Sequence, residues 1–66
     1  MMVKVNGDPR EVPEGLSVTG LLDHLKMRSD HVAIERNLDV LPRAAWNETQ
    51  VQPNDSFEIV QFVGGG

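Results

Sequence analysis

Sixty-six residues are enough for one domain, and a domain this small buries only about 60% of its unfolded surface, which leaves little room for an internal active-site cavity. Apolar residues make up 39% and charged residues 24%, as in a soluble globular chain, and no apolar run approaches the ~20 residues that span a bilayer. Ten acidic against six basic residues give a formal charge of −4, which argues against nucleic acid and fits either a basic protein surface or simple solubility.

The first residues alternate, with Val3 and Val5 on one face and Lys4 on the other, and predict a strand. Asn6-Gly7 predicts a hairpin because both residues tolerate positive φ, and Pro9 just after it suggests a turn slightly longer than two residues. Arg10, Glu11 and Val12 form the expected return strand, stopped by Pro13-Glu14-Gly15. Ser17 is a candidate N-cap. Val18, Leu21, Leu22 and Leu25 then recur at helical spacing and predict an amphipathic helix over residues 18–27, with Asp23, His24 and Lys26 in solvent. Gly20 weakens its start by about 1 kcal/mol relative to alanine. Val32 to Glu35 reads as the next strand, Asn37-Leu38-Asp39 as a polar turn, and Val40-Leu41 as a short strand. Pro42 opens a helical turn through Trp46, whose ring is expected over the edge of the core. Gln52 to Asp55 is a turn, and Ser56 to Val63 is the last strand. One helix must cover one face of a mixed sheet, which makes the fold class α+β. If the last strand lies central and parallel to the first, the fold is a β-grasp, the ubiquitin-like roll. The expected domain is residues 1–63, followed by a glycine tail at 64–66.

The chemistry is sparse. Zero cysteines exclude disulfides, thiolate metal sites and a cysteine nucleophile, and fit a reducing compartment. The opening "MMVKVNGDPR" has no apolar signal-peptide region, so a cytoplasmic location is expected. His24 and His31 lack metal-ligand spacing, and the serines lack a nucleophile-elbow context. No catalytic residue and no bound metal or cofactor is expected. On the last strand Phe57, Ile59 and Val63 share one face, and Glu58, Val60 and Phe62 the other. A strand buried on both faces would also read as this apolar run. With a single helix available, Val60 and Phe62 are instead expected to be exposed as a docking patch, with Glu58 beside them. Gly64, Gly65 and Gly66 are a frayed terminus, an expression remnant or a functional arm. As an arm they would reach about 10 Å, pass a channel too narrow for side chains, and deliver one reactive group, the α-carboxylate of Gly66. That carboxylate is ionised at neutral pH and needs activation by a separate ATP-using enzyme, because the chain has no phosphate-binding glycine loop.

"IERNLDVLPRAAW" followed by "DSFEIVQFVGGG" resembles the ThiS family, the sulfur carriers of thiamine biosynthesis. The matching residues are Asn37, Pro42-Arg43, Trp46, Asp55, Glu58-Ile59-Val60 and Phe62 to Gly66, and the likeness extends through the Asn-Gly hairpin and "SVTGLLDHL". Leu38 departs from the pattern, since family members often carry glycine after the asparagine, and this leaves the turn type open. The resemblance implies a β-grasp fold. It also implies a ThiF-like adenylyltransferase that uses ATP and magnesium to adenylate Gly66, and a cysteine desulfurase as the source of sulfur. A C-terminal thiocarboxylate would then be used by a ThiG-like thiazole synthase. The carrier would be a protein cosubstrate and a monomer when free, with no nucleic-acid or membrane partner. The alternatives are a carrier for another pathway, such as the small subunit of molybdopterin synthase, and a ubiquitin-like modifier or binding module.

Overall fold

The computed structural model describes residues 1–62. The expectations for Val63 and for Gly64, Gly65 and Gly66 lie outside the described residues.

Strands β1 (Met2–Val5) and β2 (Asp8–Glu11) pair antiparallel with Val5 opposite Asp8. The connection is therefore Asn6-Gly7 alone, at φ 52° and 85°, the two positive values that a type I′ turn requires. This corrects the longer turn expected from Pro9. That proline sits inside β2, opposite Lys4, and β2 is an edge strand on which a missing N–H is tolerated. Where the backbone turns away at Asn6, its side chain takes over the ladder. Oδ1 accepts from the Ile59 N–H at 2.7 Å and Nδ2 donates to the Ile59 carbonyl at 3.2 Å.

Helix α1 (Val18–His24) starts at the predicted cap, with Ser17 Oγ accepting from the Gly20 N–H at 3.1 Å. It ends earlier than the apolar spacing suggests. Lys26 turns left-handed at φ 60°, and the Met27 and Lys26 N–H groups bond back to Leu22 and Asp23, which is a Schellman closure. No glycine announces this stop, so periodicity alone carried the helix three residues too far. A Cβ at Gly20 would lie 3.3 Å from the Leu16 side chain, so its smallness serves a contact with Leu16.

A 3₁₀ turn (Ser29–His31) leads into β3 (Val32–Arg36), and β4 (Asp39–Leu41) returns antiparallel. Asn37 and Leu38 connect them at φ 51° and 73°. The turn is again a two-residue one, and Leu38 holds the left-handed position where glycine is usual. That strain costs about 1–2 kcal/mol. A second 3₁₀ turn (Arg43–Ala45) follows Pro42, which is extended and caps the turn from outside. Strand β5 (Ser56–Gln61) completes a five-stranded sheet of order β2-β1-β5-β3-β4. β5 is central, parallel to β1 and antiparallel to β3.

The core follows from strand alternation. Val3, Val5, Val32, Ile34, Phe57 and Ile59 point to one side and meet Val18, Leu21 and Leu22 of α1, with Trp46 closing the edge as expected. Burying a side chain such as Phe57 contributes about 1.5–3 kcal/mol relative to leaving it exposed. None of the helices among the described residues is long and apolar enough to cross a membrane.

Candidate functional site

With α1 on one side, the opposite face of the sheet has no cover among the described residues. Val60 is 57% exposed there, and Phe62 just beyond the strand is 54% exposed, so the expected exposure is present and the strand is not buried on both faces. Glu58 is exposed on the same face. Register adds residues that the sequence reading did not group with them. Ala33 lies opposite Val60, Glu35 opposite Glu58, and Val40 opposite Glu35. Val40, 76% exposed, thereby joins Val60 and Ala33 around a shallow hollow of about 110 Å³. The signal that could have found Val40 is the hairpin register. A two-residue turn at Asn37-Leu38 places Val40 outward and Leu41 inward, whereas the longer polar turn expected there leaves the facing undetermined.

Phe62 sits where β5 leaves the sheet. Its N–H donates to the His31 carbonyl at 2.7 Å, and its side chain borders a second hollow lined in part by Pro42, Arg43 and Trp46. Arg43 braces this end. It donates to the carbonyls of Ser29 and Val32, and its guanidinium stacks 4.6 Å from the Trp46 ring centre, while Trp46 Nε1 donates to the Leu41 carbonyl at 2.9 Å. The "PR…W" residues thus hold the end of the sheet from which β5 departs.

The opposite end is held by Asp55, which is 5% exposed. Its Oδ2 accepts from Arg36 Nε at 3.0 Å and from the Gln52 N–H at 2.8 Å, and its Oδ1 accepts from Asn37 Nδ2 at 3.1 Å. Asn37 in turn accepts from the Ser56 N–H through Oδ1 and donates its own N–H to the Ser56 carbonyl. Burial pushes the Asp55 carboxyl up, but the hydrogen bonds from Gln52, Asn37 and Arg36, with the arginine charge, outweigh it and hold the group below the usual carboxylate range. Asn37 and Asp55 therefore set the start of β5. Among the described residues no cluster of histidine and carboxylate side chains could hold a metal, and His24 and His31 fall on separate elements.

A helix on one face of this strand order, with the last strand central and parallel to the first, defines a β-grasp domain of the ubiquitin-like type, and its open face runs along the strand that leads to the glycine tail. Comparison with known proteins narrows the class. Residues 3–66 match the model of the ThiS family. The crystal structure of thiamine biosynthesis protein ThiS from Geobacter metallireducens superposes with a TM-score of 0.85 at 42% identity, covering 100% of both chains. The sulfur carrier protein ThiS of Bacillus subtilis is 30% identical over 98% of this chain and 100% of its own length. A thiazole synthase of Paramagnetospirillum magneticum is 38% identical over 100% of this chain, which spans only 20% of that relative's length. The chain belongs to the ThiS family.

Proposed function

We propose that the chain is a sulfur carrier of thiamine biosynthesis and that its working group is the carboxylate of Gly66. The observation that carries this reading is the exposure of Val60 on β5 and of Phe62 just beyond it, shortly before Gly64-Gly65-Gly66 in the chain, within a family match that extends through Gly66. A carboxylate oxygen attacks the α-phosphorus of ATP in a ThiF-like adenylyltransferase, with magnesium, and pyrophosphate leaves. A persulfide, formed with cysteine sulfur by a desulfurase, then attacks the acyl carbon through its outer sulfur and expels AMP. A thiol cleaves the resulting acyl disulfide, releasing the thiocarboxylate and forming a disulfide with the inner sulfur. The resulting thiocarboxylate supplies sulfur to a ThiG-like thiazole synthase. The chain contributes a docking face and a slender arm, and acts as a cytoplasmic protein cosubstrate. Glycine suits the arm because it lacks a Cβ and lets the backbone approach a partner closely.

Incubation with the adenylyltransferase, ATP, magnesium and a sulfur source is expected to replace one terminal oxygen by sulfur, read by intact mass. A chain that stays unmodified beside a competent enzyme and a control carrier would defeat the proposal.

The docking face is tested separately. Val60→Asp and Phe62→Asp are each expected to weaken binding of the adenylyltransferase about tenfold or more, since a charge would replace an apolar contact at the interface. Unfolding should move little, because both side chains are exposed in the free domain. Equal loss of folding and binding would remove the face from the proposal.

A further inference from the structure

The uncovered face carries an unfavourable arrangement. Glu35 on β3 lies directly opposite Glu58 on β5. The bonds from the Phe62 N–H to His31 and from the Asn37 N–H to Ser56 set the phase of this ladder. They make Glu35 and Glu58 a hydrogen-bonded pair, with Cα atoms about 5.5 Å apart. Like charges in that position destabilise a sheet. Among the described residues no cation forms an ion pair with either carboxylate. Arg36 is committed to Asp55 on the helix side, and Lys4, opposite Ser56 on β1, forms no ion pair. Glu35 and Glu58 both line the hollow formed with Ala33, Val40 and Val60.

We propose that this hollow and its acid pair dock thiazole synthase, which seats one aliphatic side chain against Val40 and Val60 and sets an arginine or lysine between Glu35 and Glu58. The inference rests on the sulfur-carrier reading above and names what occupies the face. Two observations select the occupant. In the Paramagnetospirillum magneticum thiazole synthase, a segment like this chain makes up one fifth of the protein, so the remaining four fifths are its constant neighbour. The uncompensated acid pair, in a chain of net charge −4, calls for a basic group, and a guanidinium fork can bond two carboxylates at once. The cost of the pair in the free domain is recovered when the cation arrives.

The test combines stability with binding. Glu35→Gln and Glu58→Gln are each expected to raise the unfolding midpoint by roughly 1–5 °C. Each is also expected to weaken binding to purified ThiG-type thiazole synthase about tenfold, measured calorimetrically, and the double variant should lose most of the salt dependence of binding. Val60→Asp serves as the reference. Weakened synthase binding by Val60→Asp alone, with both glutamine variants at wild-type affinity, overturns the acid-pair proposal and leaves the docking face standing. Wild-type synthase affinity in all three variants overturns the acid-pair proposal and the docking face together. Glutamine variants that lose affinity only for the adenylyltransferase overturn the assignment to thiazole synthase.

Discussion

Deletion of Gly66 is expected to lower adenylation of the chain at least about 10²-fold while leaving its thermal unfolding unchanged. The deletion draws the terminal carboxylate back by one residue, about 3.5 Å. A misplacement of 1 Å at a reacting centre can already cost about 10²-fold, because orientation and proximity supply much of the barrier reduction. Among the described residues the hydrogen bonds and core contacts already complete the sheet and its core, and the β5 ladder reaches Phe62. Pyrophosphate release with the adenylyltransferase, alongside a melting curve, checks both halves. Wild-type adenylation by the truncated chain would remove Gly66 from its role, whereas a fall in the unfolding midpoint would show that the residue acts through the fold.

Asp55→Ala is expected to destabilise the domain by roughly 2–4 kcal/mol, the combined loss of three hydrogen bonds worth about 0.5–1.5 kcal/mol each. The substitution strips the acceptor from the Gln52 N–H, Asn37 Nδ2 and Arg36 Nε, three part-buried bonds that meet on one buried carboxylate. A chain of 66 residues has a total stability of only about 3–10 kcal/mol, so the unfolding midpoint should fall by roughly 10–30 °C. The same carboxylate gives the wild type a pH signature. Its folded pKa lies below its unfolded value, so its stabilisation is fully present above pH ~4 and is lost as pH falls through the folded value. Thermal melts from neutral pH downward should therefore show a steeper acid loss for the wild type than for Asp55→Ala. Parallel slopes would mean that other carboxylates dominate acid unfolding.

Asp55 is one of several residues that the sequence marked without saying why. Asn37, Asp55, Arg43 and Trp46 carried the family likeness, yet among the described contacts they are braces. Asn37 and Asp55 hold one end of β5, and Arg43 and Trp46 hold the other. Sequence spacing could not assign those duties, because Asn37 and Asp55 are 18 residues apart and meet only once β3 and β5 pair. The helix end was illegible for a different reason. Lys26 adopts a left-handed conformation that is unusual for lysine and is held by the Schellman bonds to Leu22 and Asp23.

The sequence by itself determined the α+β class, the capped start of the helix, the exposed face of the last strand and the family. These are periodic or contiguous signals: alternation puts Phe57 and Ile59 inward and Val60 outward whatever the neighbours are. Tertiary structure alone decided the two-residue turns, the central place of β5, and the company that Val60 keeps. Register is a long-range property, and a slip of one residue would turn Val40 inward and separate Glu35 from Glu58. The like-charged pair beside an apolar hollow, which no stretch of the chain announces, therefore exists only in the folded sheet.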